Sequence, residues 1–246
     1  MKKILLTIVI IYCCGSVFAQ QPVVQNIENK KIFCGVSFGP TVDWFAPTLE
    51  EISREKAKGG FIAGINLDIS ITKNRLLYFS TGLCVRYLQG DLTFENLYDF
   101  SMITATDTAL QLPTVRTYQT TYLTIPTGIK FRLKPLQRCV IFGKLGLYHN
   151  FKVGGEQFDN FALPGADPYY FVSTKKLKNN DAALFAEAGY IGIGFEYAFK
   201  QGMRIFAHVD YSCQFNYFSF KAINNVAEVQ FKSLVHSFHL VFGFMF

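Results

Sequence analysis

Four histidines, the serine and threonine hydroxyls and a set of dispersed charges are the residues of this 246-residue chain with the means to do chemistry. Nucleophilic catalysis needs a hydroxyl or thiol, a histidine base and an orienting acid, all within hydrogen-bond reach. His149, His208, His236 and His239 are the candidate bases. His236 falls near Ser212 or Ser219 of the preceding hairpin, a pairing that would suit lipid modification. No nucleophile elbow of the Gly-x-Ser-x-Gly kind is expected to operate, and the expectation is that the protein is not an enzyme. Cys34, Cys84, Cys139 and Cys213 lie in four separate alternating runs. Their even count permits disulfides in an oxidising compartment, but the wide spacing reads as four small hydrophobes. No Cys-x-x-Cys pair occurs, so no metal site and no cofactor are expected.

The charges form a second constellation: Asp68, Arg86, Lys130, Arg132, Lys144, Glu196, Arg204 and Asp210, with Asp43 and His208 in the same rows. Each alternates in phase with glycines and small polar residues, opposite a greasy row. A closed wall of eight strands leaves an interior that side chains fill, and charges there must be paired. The residue types therefore predict a structural interior ion-pair network in preference to an open pore.

The elements that would position these groups are strands. Ser233 to Phe246 is the clearest: Leu234, His236, Phe238, Leu240, Phe242, Phe244 and Phe246 form one row. Ser233, Val235, Ser237, His239, Val241, Gly243 and Met245 form the other. One row is large and apolar, the other small or polar, the period-two signature of a half-greasy strand. Seven further runs behave alike: Ile32 to Asp43, Phe61 to Ile71, Leu76 to Leu88, Thr117 to Leu133, Cys139 to Val153, Ala183 to Phe199 and Met203 to Phe215. Pro126 is the misfit, because proline removes a ladder hydrogen bond, and a bulge or local irregularity is expected there.

Lys2 and Lys3, an apolar run from Ile4 to Tyr12, and Val17-Phe18-Ala19 read in order as the three regions of a secretory signal peptide. The expected organisation is residues 1–19 as signal peptide, 20–31 as a polar periplasmic tether and 32–246 as a barrel. Half the residues are hydrophobic and 26 are Phe, yet no later run has the roughly 18 apolar residues of a spanning helix. Outside the leader the basic excess is slight and scattered, which gives no support to nucleic acid as a partner.

Connections separate a soluble sandwich from a membrane barrel. Trp44 to Gly60, Gln89 to Arg116, Gly154 to Asp181 and the segment before Ser233 are long; Thr72 to Arg75, Lys134 to Gln137 and Lys200 to Gly202 are short. Strict alternation of long and short is the pattern of transmembrane barrels. The fold expected is all-β: an eight-stranded antiparallel transmembrane β-barrel with four long outer loops and short periplasmic turns, in the bacterial outer membrane. Thr48-Leu49-Glu50-Glu51 has capping-box spacing ahead of Gly59-Gly60, so a short helix is expected in the first long connection. Trp44, Tyr169, Tyr170 and Phe171 are candidate loop contacts for a partner, the rival role being an aromatic girdle.

Several stretches together resemble one family. They are Gly39-Pro40-Thr41-Val42-Asp43-Trp44-Phe45-Ala46-Pro47, Ser80-Thr81-Gly82-Leu83, Tyr122-Leu123-Thr124-Ile125-Pro126-Thr127-Gly128-Ile129-Lys130-Phe131, Gly143-Lys144-Leu145-Gly146-Leu147 and Gly192-Ile193-Gly194-Phe195-Glu196-Tyr197. In this order they resemble the PorT-like outer-membrane β-barrels of Bacteroidetes over nearly the whole mature chain. Thr124 stands where that pattern usually has Glu. The resemblance implies a non-enzymatic barrel that supports protein export of the type IX kind, with other secretion-system envelope proteins as partners. The alternative is a passive small barrel with a surface-binding or envelope-stabilising role; a lipid-modifying enzyme comes last. Phe242, Phe244 and Phe246, ending a greasy row, resemble the closing signal that barrel assembly machinery recognises, and outer-membrane lipid is the surrounding partner.

Overall fold

The computed structural model describes residues 31–48, 52–97, 112–133, 138–162, 170–176, 183–199, 203–215, 218–224 and 227–246. Ten strand segments follow in order: β1 (Ile32–Pro47), β2 (Ile52–Ser70), β3 (Leu77–Leu97), β4 (Leu112–Arg132), β5 (Cys139–Ala162), β6 (Tyr170–Lys176), β7 (Phe185–Ala198), β8 (Arg204–Gln214), β9 (Phe218–Asn224) and β10 (Ala227–Met245). All pairings are antiparallel, and β1 pairs with β10, so the sheet closes on itself. Both β6 and β7 lie along the same edge of β5, β6 against Glu156 to Ala162 and β7 against Cys139 to Phe151. They are one stave broken in two. In the same way β8 and β9 share one edge of β10. The ten segments thus make an eight-stranded closed barrel.

The stagger of the wall can be followed residue by residue. From Cys34 the register passes through Leu67, Thr81, Thr127, Leu147, Gly189, Cys213 and His236, and returns to β1 at Trp44, ten residues beyond its start. Such a stagger forces the strands to tilt steeply against the barrel axis. Period-two alternation then sorts every side chain to one face. In β1, Phe33, Gly35, Ser37, Gly39, Thr41, Asp43 and Phe45 point inward, while Val36, Phe38 and Val42 are about half exposed on the outside. The outside carries Ile65, Leu83, Leu145, Ile191, Ile193, Phe195, Phe238, Phe242, Phe244 and Phe246, all exposed. An apolar exterior over a polar interior is the arrangement that lipid selects.

Inside, glycines on one strand make sockets for large side chains of strands nearby. A Cβ on Gly90 would collide with the Phe45 ring, one on Gly243 with the Phe206 ring, and one on Gly192 with the Asp210 carboxylate. The end at which β1 starts and β10 finishes carries an apolar floor that includes Phe33, Ile62, Tyr78, Phe142, Phe206 and Met245.

Several expectations need correction. The stretch 52–60 is strand, not helix: β2 runs through Gly59 and Gly60, with register shifts between Arg54 and Ala57 and between Ala57 and Phe61. Cross-strand pairing with β3 outcompetes the local capping signal. The outer connections are shorter than expected, because β3, β4 and β5 continue to Leu97, from Leu112 and to Ala162. Tyr170 and Phe171 are therefore in a strand, paired in register with Ala162 and Phe161, and not in mid-loop. The irregularity at Pro126 is a gap in pairing and not a bulge. The β4–β5 ladder passes through Pro126 opposite Tyr148, and its register shift lies at Thr121/Tyr122. On the β3 side the pairs stop at Thr127 and resume at Thr124 in the same register, so the missing donor is absorbed without a slip. The proposed leader 1–19, the tether residues 20–30, Tyr169 and the turn 134–137 lie outside the described residues.

Candidate functional site

The lower interior is organised around one carboxylate. Glu196, on β7, is reached by Lys130 and Arg132 from β4 and by Arg204 from β8. Both Arg contacts fall on Oε2, at 3.0 and 3.1 Å, and Lys130 takes Oε1. Lys130 also reaches Asp68 Oδ2 at 2.6 Å, and the Ser80 hydroxyl donates to the other Asp68 oxygen at 2.7 Å. Aromatic faces seat the cations: Phe33 lies 3.9 Å from the Arg204 guanidinium, Phe142 4.3 Å from Lys130 Nζ, and Tyr78 5.3 Å from Arg132. Rings on the floor thus contribute cation–π attraction as well as burial. Asp68, Lys130, Glu196 and Arg204 are buried, so their charges must compensate one another.

Two smaller groups lie further up. Asp210 Oδ2 accepts from the Tyr148 hydroxyl at 2.9 Å and pairs with His208 Nε2 at 3.0 Å. Gly192 stands directly between Lys144 and Asp210 in the register, and the Lys144 ammonium lies 5.6 Å from the Tyr190 ring. Arg86 pairs with Asp43 at 3.0 Å, and Ser237 and Thr41 donate to the same carboxylate. Nearer the outer end Lys58 pairs with Asp91 at 2.9 Å. The eight charges singled out in the sequence thus fall into one lower group of five, with Asp210 and Lys144 above it and Arg86 joined to Asp43.

The histidines divide by face. His239 is fully buried; its Nε2 lies 3.5 Å from Ser212 Oγ, with the Tyr148 ring beside it. That resembles a base and a hydroxyl, but nothing outside the wall can reach it. His236 points outward and is not a partner of Ser212, which faces the interior; its cross-strand neighbour is Cys213. The His236 ring stacks on Trp44 at 5.6 Å and 13°, and Nδ1 meets the Tyr211 hydroxyl at 2.7 Å. With Phe238 these rings form an aromatic cluster on the outer wall. Trp44 is therefore part of a girdle-like patch on β1, packed against its neighbours. Gly35-Val36-Ser37-Phe38-Gly39 does spell Gly-x-Ser-x-Gly, contrary to the expectation that no such element operates here. It lies in mid-strand with Ser37 buried, and there is no strand-to-helix elbow to expose the hydroxyl.

Sequence reasoning missed one constellation altogether. On the outer wall, Thr127 Oγ1 lies 2.9 Å from His149 Nε2, and His149 Nδ1 lies 3.1 Å from Glu187 Oε1. His149 and Glu187 are directly opposite on β5 and β7. Thr127 stands on β4 two residues from Ile125, the other direct neighbour of His149, which is the diagonal relation on a sheet face. The side chains of His149 and Glu187 remain 26% and 38% exposed. The overlooked signal is parity: His149 shares a row with Ile141, Leu145 and Leu147, and Glu187 with Ile191 and Ile193, rows otherwise apolar.

Phe242, Phe244 and Phe246 stand on the outward row of the closing seam. Phe246 exchanges both backbone hydrogen bonds with Cys34, at 2.9 and 3.2 Å. Cys34, Cys84, Cys139 and Cys213 sit on β1, β3, β5 and β8. Among the described residues no group of three or more His, Cys, Asp or Glu could hold a metal ion.

No curated protein matches this chain. Among solved structures, Neisserial surface protein A is 11% identical, with a TM-score of 0.43, covering 88% of this chain and 96% of its own. The outer membrane protein OprG from Pseudomonas aeruginosa is 12% identical, with a TM-score of 0.39, covering 90% and 99%. The outer membrane protease OmpT from Escherichia coli is 9% identical, with a TM-score of 0.38, covering 87% and 96%. None of these likenesses bears on activity. Residues 18–217 match the family described as outer membrane protein beta-barrel domain. With a closed antiparallel wall, an apolar exterior and a match over most of its length, the chain belongs to that outer-membrane β-barrel family.

Proposed function

We propose that this barrel is PorT-like and supports protein export of the type IX kind, working through contacts of its outer ends and turns with other envelope proteins. The observation that carries the reading is the ion-paired interior: Lys130, Arg132, Arg204, Asp68 and Glu196 are locked together above an aromatic floor, which suits a structural wall better than an open pore. Such a wall can serve as a scaffold, and the export role needs no catalysis from it. The stretch from Tyr122 to Phe131 carries the resemblance, and the extended outer hairpins offer the surface. The passive, surface-binding barrel stays as the second reading, supported by the Trp44 cluster. A deletion strain separates them. Loss of secreted proteases and adhesins from the cell surface supports the export role; normal surface amounts leave the passive barrel. Cross-linking from Trp44 and Tyr169 in exporting cells identifies the neighbour.

Assembly belongs to the same proposal. Phe242, Phe244 and Phe246 present phenyl rings outward on the strand that closes the barrel, where assembly machinery would read them. Deleting Phe246 removes a ring and two seam hydrogen bonds, and the truncated chain should accumulate in the periplasm. Fractionation that finds it in the outer membrane at normal levels counts against this role.

A further inference from the structure

We propose that the outer wall carries an ester-hydrolase site, formed by Thr127, His149 and Glu187, that acts on acyl esters of outer-leaflet lipids. The inference stands apart from the export role and rests on the order, spacing and location of three side chains. Hydroxyl, imidazole and carboxylate follow one another at 2.9 and 3.1 Å. A carboxylate that accepts Nδ1–H fixes the tautomer and turns the Nε2 lone pair to the hydroxyl. The relay comes from three adjacent strands, so the wall itself holds its geometry. The Phe185 ring lies parallel to the His149 ring, 6.3 Å away, and confines it further.

Location argues for substrate. Around the relay the outer wall is apolar: Leu145, Leu147, Phe151, Phe185 and Ile191 are all exposed. Polar and ionisable groups on a lipid-contacting face are expensive, and the default reading of one is functional. On either side of the relay the wall carries apolar side chains. Glu187 is the third residue of β7 from its outer end. Thr127 stands sixth from the inner end of β4, between Ile125 and Ile129 on its row, so the relay runs from the middle of the apolar band toward its outer edge. An acyl chain can lie along the apolar rows while its ester carbonyl meets Thr127. The interior pair of His239 and Ser212 has no such access.

The reaction balances with an ester and water alone. Thr127 Oγ1 attacks the ester carbonyl carbon, and its proton passes to His149 Nε2. The bond from that carbon to the lipid alcohol breaks, and the alcohol oxygen takes the proton from Nε2. The acyl group is left on Thr127 as an ester. Water then attacks the same carbon with its proton going to Nε2; Thr127 recovers its hydroxyl and a free fatty acid leaves. Thr127 and His149 are the catalytic residues, and Glu187 is a positioning residue that acts through the imidazole.

The test uses the full chain in two sets of vesicles, one of phosphatidylethanolamine and one of phosphatidylethanolamine with lipid A. Free fatty acid is read by mass spectrometry. Release from the first set assigns a phospholipid ester; release confined to the second, with hydroxylated acyl products, assigns a lipid A ester. His149→Ala should lower the rate by roughly 100-fold or more, the usual contribution of a general base. Thr127→Ala should abolish release, and Thr127→Ser should retain it. Glu187→Gln should lower kcat with little change in KM, and Glu187→Asp should recover part of it, which loss of a structural contact would not do. Heat-modifiable migration confirms that each variant is folded. A fluorophosphonate probe should label folded protein at Thr127. No fatty acid from either vesicle set together with no label at Thr127 overturns the proposal, as does release that Thr127→Ala leaves unchanged.

Discussion

Glu196 and Glu187 lie on the same strand, nine residues apart and therefore on opposite faces, and they show what a wall does with a carboxylate. Inside, Glu196 meets three cations on three sides and is sealed by rings. Outside, Glu187 meets the His149 imidazole, which in turn meets the Thr127 hydroxyl. The inner group is enclosed by its own counter-charges and by rings. The outer group is a chain with an open end. Charge density alone does not mark function; an unsaturated order of groups does.

The sharpest way to break this comparison is at its inner member. Glu196→Ala leaves Lys130, Arg132 and Arg204 facing one another, with Asp68 alone to balance them. Removing one side of a buried ionic group costs about 3–5 kcal/mol, to be seen as a lower urea midpoint in vesicles. Arg204→Leu should be milder, because Glu196 keeps two cations and Phe33 packs against the leucine. Equal losses for the two variants would mean that Glu196 is not the hub. Next in size is Gly192→Val. Its Cβ falls on the Asp210 carboxylate, which must give up Tyr148 or His208, and such overpacking costs about 1–3 kcal/mol. No change in midpoint would show that Asp210 has room elsewhere. Smallest is Glu187→Gln, which breaks only a part-exposed pair and should shift stability by less than about 1 kcal/mol. A loss as large as that of Glu196→Ala would make the outer relay structural, and the two faces would then differ in degree only.

Faces were legible in the sequence because alternation is a local property. The rows through Phe238, Phe242 and Phe244, and through Asp68, Lys130 and Asp210, follow from counting by two. Partners were not legible, because they depend on register between strands far apart in the chain. Nothing local says that Lys130 reaches both Asp68 and Glu196, or that Ser212 faces His239 while His236 faces the membrane. The ends of the strands failed for another reason. Beyond the lipid band the outward residues need not be apolar, so the alternation fades while the ladder continues, as in β2 from Ile52 to Gly60 and β5 from Gly154 to Ala162. The outer relay was hidden by dispersal: one polar residue in each of three greasy rows, joined only when the stagger is known.

The seam between β1 and β10 carries a kinetic consequence. It is the pairing most distant in sequence, and it joins Gly35 to Met245 and Trp44 to His236. Until it forms, any partial sheet has two naked edges, each a template for the wrong neighbour. Contacts this remote are slow to find, since loop closure must precede any reward. The eight staves therefore cannot mature one hairpin at a time into a safe intermediate. A chain that has made seven of them remains as prone to aggregation as one that has made two, and the final join converts it in one step into a body with no edge at all.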